Sequence, residues 1–211
     1  MAAAISLSRI EGRDLSCVRG ERVIFRGLNI SVAAGSLLTL EGPNGAGKTS
    51  ALRVIAGLLS PMSGTLTFTT TDGTALNDNE ERGRCVAWLG HADGLKAQLS
   101  VRENAEFFAR LASASSDVAA ILERVGLKRV IDLPAAYLSA GQRRRLGLAR
   151  LLLWPRPLWL LDEPLAALDT AGRELLVEIL GGHINGGGLV IAATHAPLGV
   201  ASERVLLGAK T

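Results

Sequence analysis

The sequence is poor in cysteine and has no long apolar run. The first shortage argues against a disulfide framework or a cysteine metal site, and the second against a membrane-spanning segment. Cys17 and Cys85 lie far apart with no C-x-x-C or metal-binding spacing, so we expect free thiols in a reducing compartment. The richest apolar stretch, residues 146–161, is interrupted by two arginines and two prolines and cannot form a membrane span. Acids at Glu11 and Asp14 argue against a signal peptide. These shortages predict a soluble, cytoplasmic protein.

Excess charge of either sign is also lacking. Twenty-three basic residues against 20 acidic ones give a formal net charge of +3, and the basic residues are scattered except over 142–150. A nucleic-acid-binding face needs positive charge gathered in one place, so we expect no nucleic-acid partner. The 211 residues, 48% of them apolar, suffice for one compact domain with a sizeable core.

A glycine-rich segment, GPNGAGKT at residues 42–49, fits the phosphate-binding pattern G-x-x-x-x-G-K-[ST]. The apolar run before it predicts a buried strand, and the residues after it have helical spacing. Inward-pointing N–H groups and the helix N-terminus favour a nucleoside triphosphate, with Lys48 at its β- and γ-phosphates and Thr49 on Mg²⁺. The expected nucleotide contacts are Gly42, Pro43, Asn44, Gly45, Ala46, Gly47, Lys48, Thr49 and Ser50.

Two adjacent carboxylates end a second apolar run, LWLLDEP. Ligands collect at the carboxyl ends of strands in an open α/β sheet. Asp162 is therefore predicted to support the Mg²⁺ shell opposite Thr49, and Glu163 to orient and polarise the attacking water. The alternative, two surface acids in a turn, fits poorly with so uncharged a run.

The remaining pattern predicts strands, then a helical insert, then strands and helices again. We expect short strands over 5–40 with turns at 19–22 and 33–36, a polar loop over 69–81, a buried strand over 85–90 and mostly helix over 100–153. Four N-caps are expected, at Ser100 (with Glu103 in a capping box), Asp117, Ser139 and Asp169.

The segment LSAGQ at 138–142 would by itself be a plain N-capped helix start, but it occurs with the motifs above. Together they resemble the ATP-binding-cassette (ABC) ATPases over essentially the whole chain. GPNGAGKT resembles the Walker A motif of that family, LSAGQ its signature and LWLLDEP its Walker B motif. AALD, which ends at Asp169, resembles the D-loop, and His195 the switch histidine.

This resemblance implies an α/β fold of the P-loop NTPase class, with a RecA-like core, an antiparallel β edge and a helical subdomain. Within one domain over 1–211, it implies a core lobe of 1–91 and 156–211 and a helical lobe of 92–155. The cofactors expected are ATP and Mg²⁺.

Cassettes of this family pair head to tail, so that Walker A of one copy and the signature of the other enclose each ATP. The resemblance implies that Ser139, Gly141 and Gln142 act on the nucleotide of a second copy and that Asp169 lies across the interface. It also implies a catalytic role for His195 at the γ-phosphate, beside Lys48 and Glu163. His183 matches no motif and is expected to be solvated.

Two positions depart from the family pattern. At the position of the family's γ-phosphate-sensing glutamine the chain has His91, whose neutral ring offers a lone pair to Mg²⁺ or water. An ordinary loop histidine is the alternative. At the position of the aromatic residue that stacks on adenine the chain has Arg19, which can stack only through its guanidinium plane.

WLGHADGLKAQLSVREN and LSAGQRRR are most similar to the ATP-binding subunits of bacterial cytochrome c maturation, the haem exporter family. This similarity implies an ATPase peripheral to the cytoplasmic face of the inner membrane and docked on the membrane-spanning subunits of that system. ATP would drive haem export or haem release from a carrier. The alternatives are the ATPase of another ABC transporter and a soluble cassette acting on nucleic acid or ribosomes.

Overall fold

The computed structural model describes residues 5–76, 78–90, 94–112 and 116–208. In these ranges the chain forms two sheets, a set of helices and two short 3₁₀ turns. The strands are β1 (Leu7–Arg19), β2 (Arg22–Ala33), β3 (Leu37–Glu41), β4 (Ser63–Thr70), β5 (Ala75–Leu76), β6 (Val86–Leu89), β7 (Leu158–Asp162), β8 (Leu189–Ala193) and β9 (Glu203–Leu206). The helices are α1 (Lys48–Ile55), α2 (Asn79–Cys85), α3 (Val101–Ala112), α4 (Val118–Arg124), α5 (Ala140–Leu153) and α6 (Thr170–Asn185).

A parallel sheet in the order β6-β7-β8-β3-β9 forms the centre of the molecule. Every residue of β7 and β8 is buried, as expected for strands covered on both faces. Because the strands are parallel, their carboxyl ends lie at one edge of the sheet. Glu41, Asp162 and Ala193 end three neighbouring strands there, so the loops that follow converge.

An antiparallel sheet in the order β2-β1-β4-β5 packs beside the parallel one. The strands and both turns predicted over 5–40 are present as β1, β2 and β3, but β1 and β2 are longer than expected, at 13 and 12 residues, and are joined by a turn at Gly20 and Glu21. Only the expected length was wrong, because irregular pairing, including the positive φ of 66° at Gly27, interrupts the side-chain alternation without ending the strand.

The polar loop predicted over 69–81 is also corrected, since it holds β5 and the start of α2. The side chain of Asp78 caps α2 by accepting a hydrogen bond from the N–H of Glu80 at 2.9 Å. Only Cys85 of this helix is buried, so it shows no apolar periodicity that a sequence pattern could reveal.

Helices α3, α4 and α5 pack on one another and share a core that includes Val101, Phe108, Leu122 and Leu146. The predicted N-caps at Ser100, Asp117, Ser139 and Asp169 are confirmed. Each side-chain oxygen accepts a hydrogen bond from the N–H three residues later, at 2.8–3.2 Å. No helix in the part of the chain described is long and apolar enough to cross a membrane.

Candidate functional site

The loop between β3 and α1 has a backbone that only glycine tolerates at its key positions. Gly42, Gly45 and Gly47 have φ values of 145°, 81° and 98°. A side chain at Gly42 would run into the carbonyl oxygen of Leu207, and one at Gly47 would come within 2.7 Å of Ile24 Cγ2. The glycines therefore let the loop curl tightly at the N-terminus of α1.

This loop forms one wall of a cleft of about 290 Å³ at the carboxyl edge of the parallel sheet. The opposite wall comes from the last residue of β7 and from residues that follow β7 and β8. The lining residues are Ile24, Asn44, Gly45, Gly47, Lys48, Thr49, Ser50, Asp162, Glu163 and His195. The structure thus brings together residues that are far apart in sequence, such as Lys48 and His195, which are separated by 147 positions.

Lys48 is largely buried, with only 7% of its surface exposed. Its Nζ donates hydrogen bonds to the carbonyl oxygens of Gly42 and Pro43, at 2.7 and 3.2 Å, and lies 3.0 Å from His195 Nε2. The ammonium group is therefore fixed at the mouth of the loop, where it can meet an anion.

Thr49 and Asp162 meet across the cleft. The Thr49 hydroxyl lies 3.1 and 3.0 Å from the two carboxylate oxygens of Asp162. Among the residues described, no cluster of three or more His, Cys, Asp and Glu side chains could hold a metal ion. Mg²⁺ typically takes only one or two protein oxygens and completes its shell with water and phosphate oxygens, so this hydroxyl–carboxylate pair fits it.

Glu163 follows β7 in a left-handed backbone conformation, with φ of 47°. Such a conformation is uncommon for a residue other than glycine, and it is held here by a hydrogen bond from the Glu163 N–H to the carbonyl of Ala193 at 2.9 Å. The Glu163 Oε1 atom lies 3.3 Å from His195 Nε2. His195 therefore stands between the carboxylate and Lys48.

The signature residues lie elsewhere. Ser139 is exposed at the start of α5, where it and Gln142 form a reciprocal capping box, and neither they nor Gly141 line the cleft. A Cβ atom on Gly141 would lie 3.1 Å from the carbonyl oxygen of Ala167, so the signature sits against the D-loop of the same chain.

Asp169 also bonds within its own chain. It accepts hydrogen bonds from the Arg145 guanidinium at 2.7 Å and from the Gly172 N–H at 2.8 Å. The bond from Arg145, and then that from Gly172, hold the pKa of the Asp169 carboxyl below its usual range.

The two departures from the family pattern have different outcomes. Arg19 ends β1 opposite Arg22 at the hairpin and does not line the cleft, whereas Ile24 does. His91 lies outside the described residues. Ile24 was missed from the sequence because nothing in the pattern of β2 marks the residue that faces the glycine loop.

The expectation that His183 is solvated is wrong. Its ring stacks on Trp159, with centroids 3.7 Å apart and an interplanar angle of 5°, and its Nε2 lies 3.4 Å from the carbonyl oxygen of Leu189. Burial lowers the pKa of His183 to about 4. The end of α6 packs over the start of β7, which the sequence does not reveal.

Comparison with known proteins identifies the family. The family model described as ABC transporter matches residues 25–166. The chain is 51% identical over 205 residues to the cytochrome c biogenesis ATP-binding export protein CcmA of Rhodopseudomonas palustris (strain BisB5), covering 95% of this chain and 98% of that protein. The chain belongs to the CcmA family. Another CcmA, from Nitrobacter hamburgensis, is 46% identical over 208 residues and covers 96% of this chain and 100% of the relative.

Solved structures share the fold of this CcmA family member. One is the dimeric post-hydrolysis state of an ATP-binding cassette bound to ADP and Pi, with a TM-score of 0.78, 24% identity and 94% coverage of each chain. The ABC ATPase fold predicted from the motifs is confirmed, and so is the resemblance to the cytochrome c maturation cassettes.

Proposed function

We propose that the protein is the ATP-binding and ATP-hydrolysing subunit of a membrane ABC transporter complex for c-type cytochrome biogenesis. It would lie at the cytoplasmic face of the inner membrane and couple ATP hydrolysis to haem export or to haem release from a carrier. Membership of the CcmA family supports the process. The observation that carries the chemistry is the convergence of Lys48, Thr49, Asp162, Glu163 and His195 on one cleft.

Phosphate binding would come from the loop and α1. The N–H groups around Gly45 and Gly47 and the helix N-terminus attract anions, and the Lys48 ammonium adds a full positive charge beside them. The Thr49 hydroxyl and the Asp162 carboxylate would hold Mg²⁺, which neutralises charge on the β- and γ-phosphates when bound.

Hydrolysis would depend on the carboxylate of Glu163, directly after β7. Glu163 would orient and polarise the attacking water, and His195 would contact the γ-phosphate from its place between Glu163 and Lys48. We further propose that the Arg19 guanidinium stacks on the adenine and that His91 senses the γ-phosphate in place of glutamine.

A second copy would complete each site. Ser139, Gly141 and Gln142 do not line the cleft of their own chain, and they would instead contact the nucleotide of a partner bound head to tail. Asp169 would lie at that interface. The membrane-spanning subunits would dock beside the helical lobe, which we place at 92–155, on the exposed side of residues 94–106.

The test separates binding from hydrolysis with two cleft variants. Glu163→Gln should keep ATP affinity and lose most turnover, on the order of a hundredfold or more, because the amide cannot activate water. Lys48→Ala should weaken ATP binding itself, since it removes the charge that faces the phosphates. Glu80→Gln, which removes an exposed carboxylate from α2, is the matched control and should behave as the wild type. Near-normal turnover in Glu163→Gln would refute the assignment.

A further inference from the structure

Arg144 is a buried cation on the helix that begins with the signature. It lies on α5, five positions after Ser139, and only 4% of its surface is exposed. Burying a guanidinium is costly unless its N–H groups are satisfied, so the contacts of this side chain are informative.

Among the residues described, four carbonyl oxygens accept hydrogen bonds from Arg144. Its Nη1 donates to Gly90 at 2.8 Å, and its Nη2 donates to Asp162 at 3.0 Å and to Glu163 at 2.6 Å. Its Nε lies 3.3 Å from the carbonyl oxygen of Pro164. Three of these acceptors belong to consecutive residues, 162–164, at the turn that carries Glu163, and the fourth, Gly90, comes directly after β6.

This turn needs support because of its backbone. Glu163 has a φ of 47°, a conformation that persists in a residue other than glycine only when its surroundings hold it. The Arg144 fork binds the carbonyls on both sides of the Glu163 Cα atom, and therefore fixes the peptide planes that aim its side chain. Such planar, charge-assisted bonding is specific to arginine.

A second arginine of α5, Arg150, bonds to strand β6 itself. Arg150 donates to the carbonyl oxygen of Trp88, two residues before Gly90, and its guanidinium lies over the Phe108 ring at 5.3 Å. Helix α5 is thus bonded to Trp88 in β6, to Gly90 directly after it, and to the turn that carries Glu163. A shift of α5 would therefore displace both β6 and the turn that carries Glu163.

We propose that Arg144 is a positioning residue that ties the signature helix to the catalytic turn. It sets the direction of the Glu163 carboxylate and links any movement of α5, when a partner's ATP meets Ser139, to the hydrolytic site of its own chain. This inference rests on the proposed function, because it needs Glu163 to act in hydrolysis.

The test compares Arg144→Gln and Arg144→Lys with Arg124→Gln. Arg124 pairs with Glu178 at 2.8 Å on the surface, so its variant removes one arginine without touching the turn. For each protein, kcat, KM, the ATP Kd and the Tm would be measured. We expect Arg144→Gln to lose on the order of 10- to 100-fold in kcat with ATP Kd within about twofold of wild type, since a misaimed group costs turnover rather than binding. Arg144→Lys should recover the Tm but only part of kcat, because one ammonium cannot span both segments.

The outcomes separate the two proposals. An unchanged kcat in both Arg144 variants, with an active wild type, overturns the positioning role alone. Equal losses of Tm, binding and kcat that lysine fully restores overturn it in favour of a simple stabilising role. If Arg144→Gln does not fold, Arg144→Lys alone serves as the test, and a wild-type kcat in that variant would contradict the positioning role. A wild type that binds ATP but never hydrolyses it overturns the proposed function as well.

Discussion

The Nε2 atom of His195 lies 3.0 Å from Lys48 Nζ and 3.3 Å from Glu163 Oε1, so one ring nitrogen faces a cation and an anion. With a lone pair it accepts a hydrogen bond from Lys48, and with a proton it donates one to Glu163. It cannot do both at once. The tautomer of His195 therefore decides which of its two neighbours the ring restrains.

His183 should make stability depend on pH. Its pKa is lowered from 6.5 to about 4 by burial, so between these values the unfolded chain binds a proton that the folded chain does not. Stability should therefore fall as the pH falls from about 6.5 to 4, by up to about 3 kcal/mol at about 1.4 kcal/mol per pKa unit. His183→Phe keeps a ring to stack on Trp159 without this titration. Urea unfolding at several pH values should show that the free energy of unfolding falls less with falling pH in the variant than in the wild type. The same pH dependence in both proteins would contradict the prediction.

The predictability of individual residues follows from the range of their contacts. The placement of Gly42, Lys48 and Thr49 in one loop at the start of a helix could be predicted, because these residues form a short contiguous pattern whose spacing implies that local geometry. Arg144 could not be recognised, because it bonds to residues 18 to 54 positions away. The stacking of His183 on Trp159 was hidden for the same reason, since it depends on how α6 lies over β7.

At the scale of elements, the start of α3 shows how a loop beside the proposed docking face is held. Asn104 is 2% exposed, and its Nδ2 donates to the carbonyls of Lys96, Leu99 and Ser100 at 2.9–3.1 Å. Its Oδ1 accepts from the Lys96 N–H at 2.9 Å. One buried amide thus fixes residues 96–100 against the helix.

Asn104→Ala should destabilise the protein by about 1–3 kcal/mol, because it leaves several buried backbone groups without partners. Gln98→Ala, on the exposed part of the same loop, is the control and should be within about 0.5 kcal/mol of wild type. Urea unfolding gives both values. An Asn104→Ala variant with an unchanged free energy of unfolding would mean that the loop is held by its backbone contacts alone.

Local chemistry also explains which elements were predictable. Each of these helix caps is a hydrogen bond between residues three positions apart, so the caps of α3 to α6 could be predicted from sequence. Helix α2 could not, since an exposed helix of seven residues has too little periodicity to be seen.

At the scale of the whole molecule, the phosphate loop and the signature are on different parts of the surface. The cleft contains no signature residue, and Ser139 is exposed at the start of α5. A single chain therefore carries the two parts of a proposed ATP site, the phosphate loop and the signature, at separate places. Head-to-tail pairing of two chains would bring the phosphate loop of one against the signature of the other.

ATP should therefore drive dimerisation when hydrolysis is blocked. Glu163→Gln should be monomeric without nucleotide and dimeric with ATP, by light scattering after gel filtration. Adding Ser139→Arg should abolish the dimer while sparing ATP binding, because a long cation would occupy the place of the partner's phosphates. Adding Arg124→Gln, on the exposed surface of α4, is the control and should leave the dimer intact. A dimer that survives Ser139→Arg would contradict the head-to-tail arrangement.

The most direct test is covalent haem attachment to c-type cytochromes in a strain that lacks this protein. The wild-type gene should restore attachment, whereas Glu163→Gln, at equal amounts and in the same membrane fraction, should leave apocytochromes without haem. Normal attachment with Glu163→Gln would contradict a requirement for hydrolysis at this cleft. Normal attachment in the strain without the protein would contradict its role in cytochrome c biogenesis.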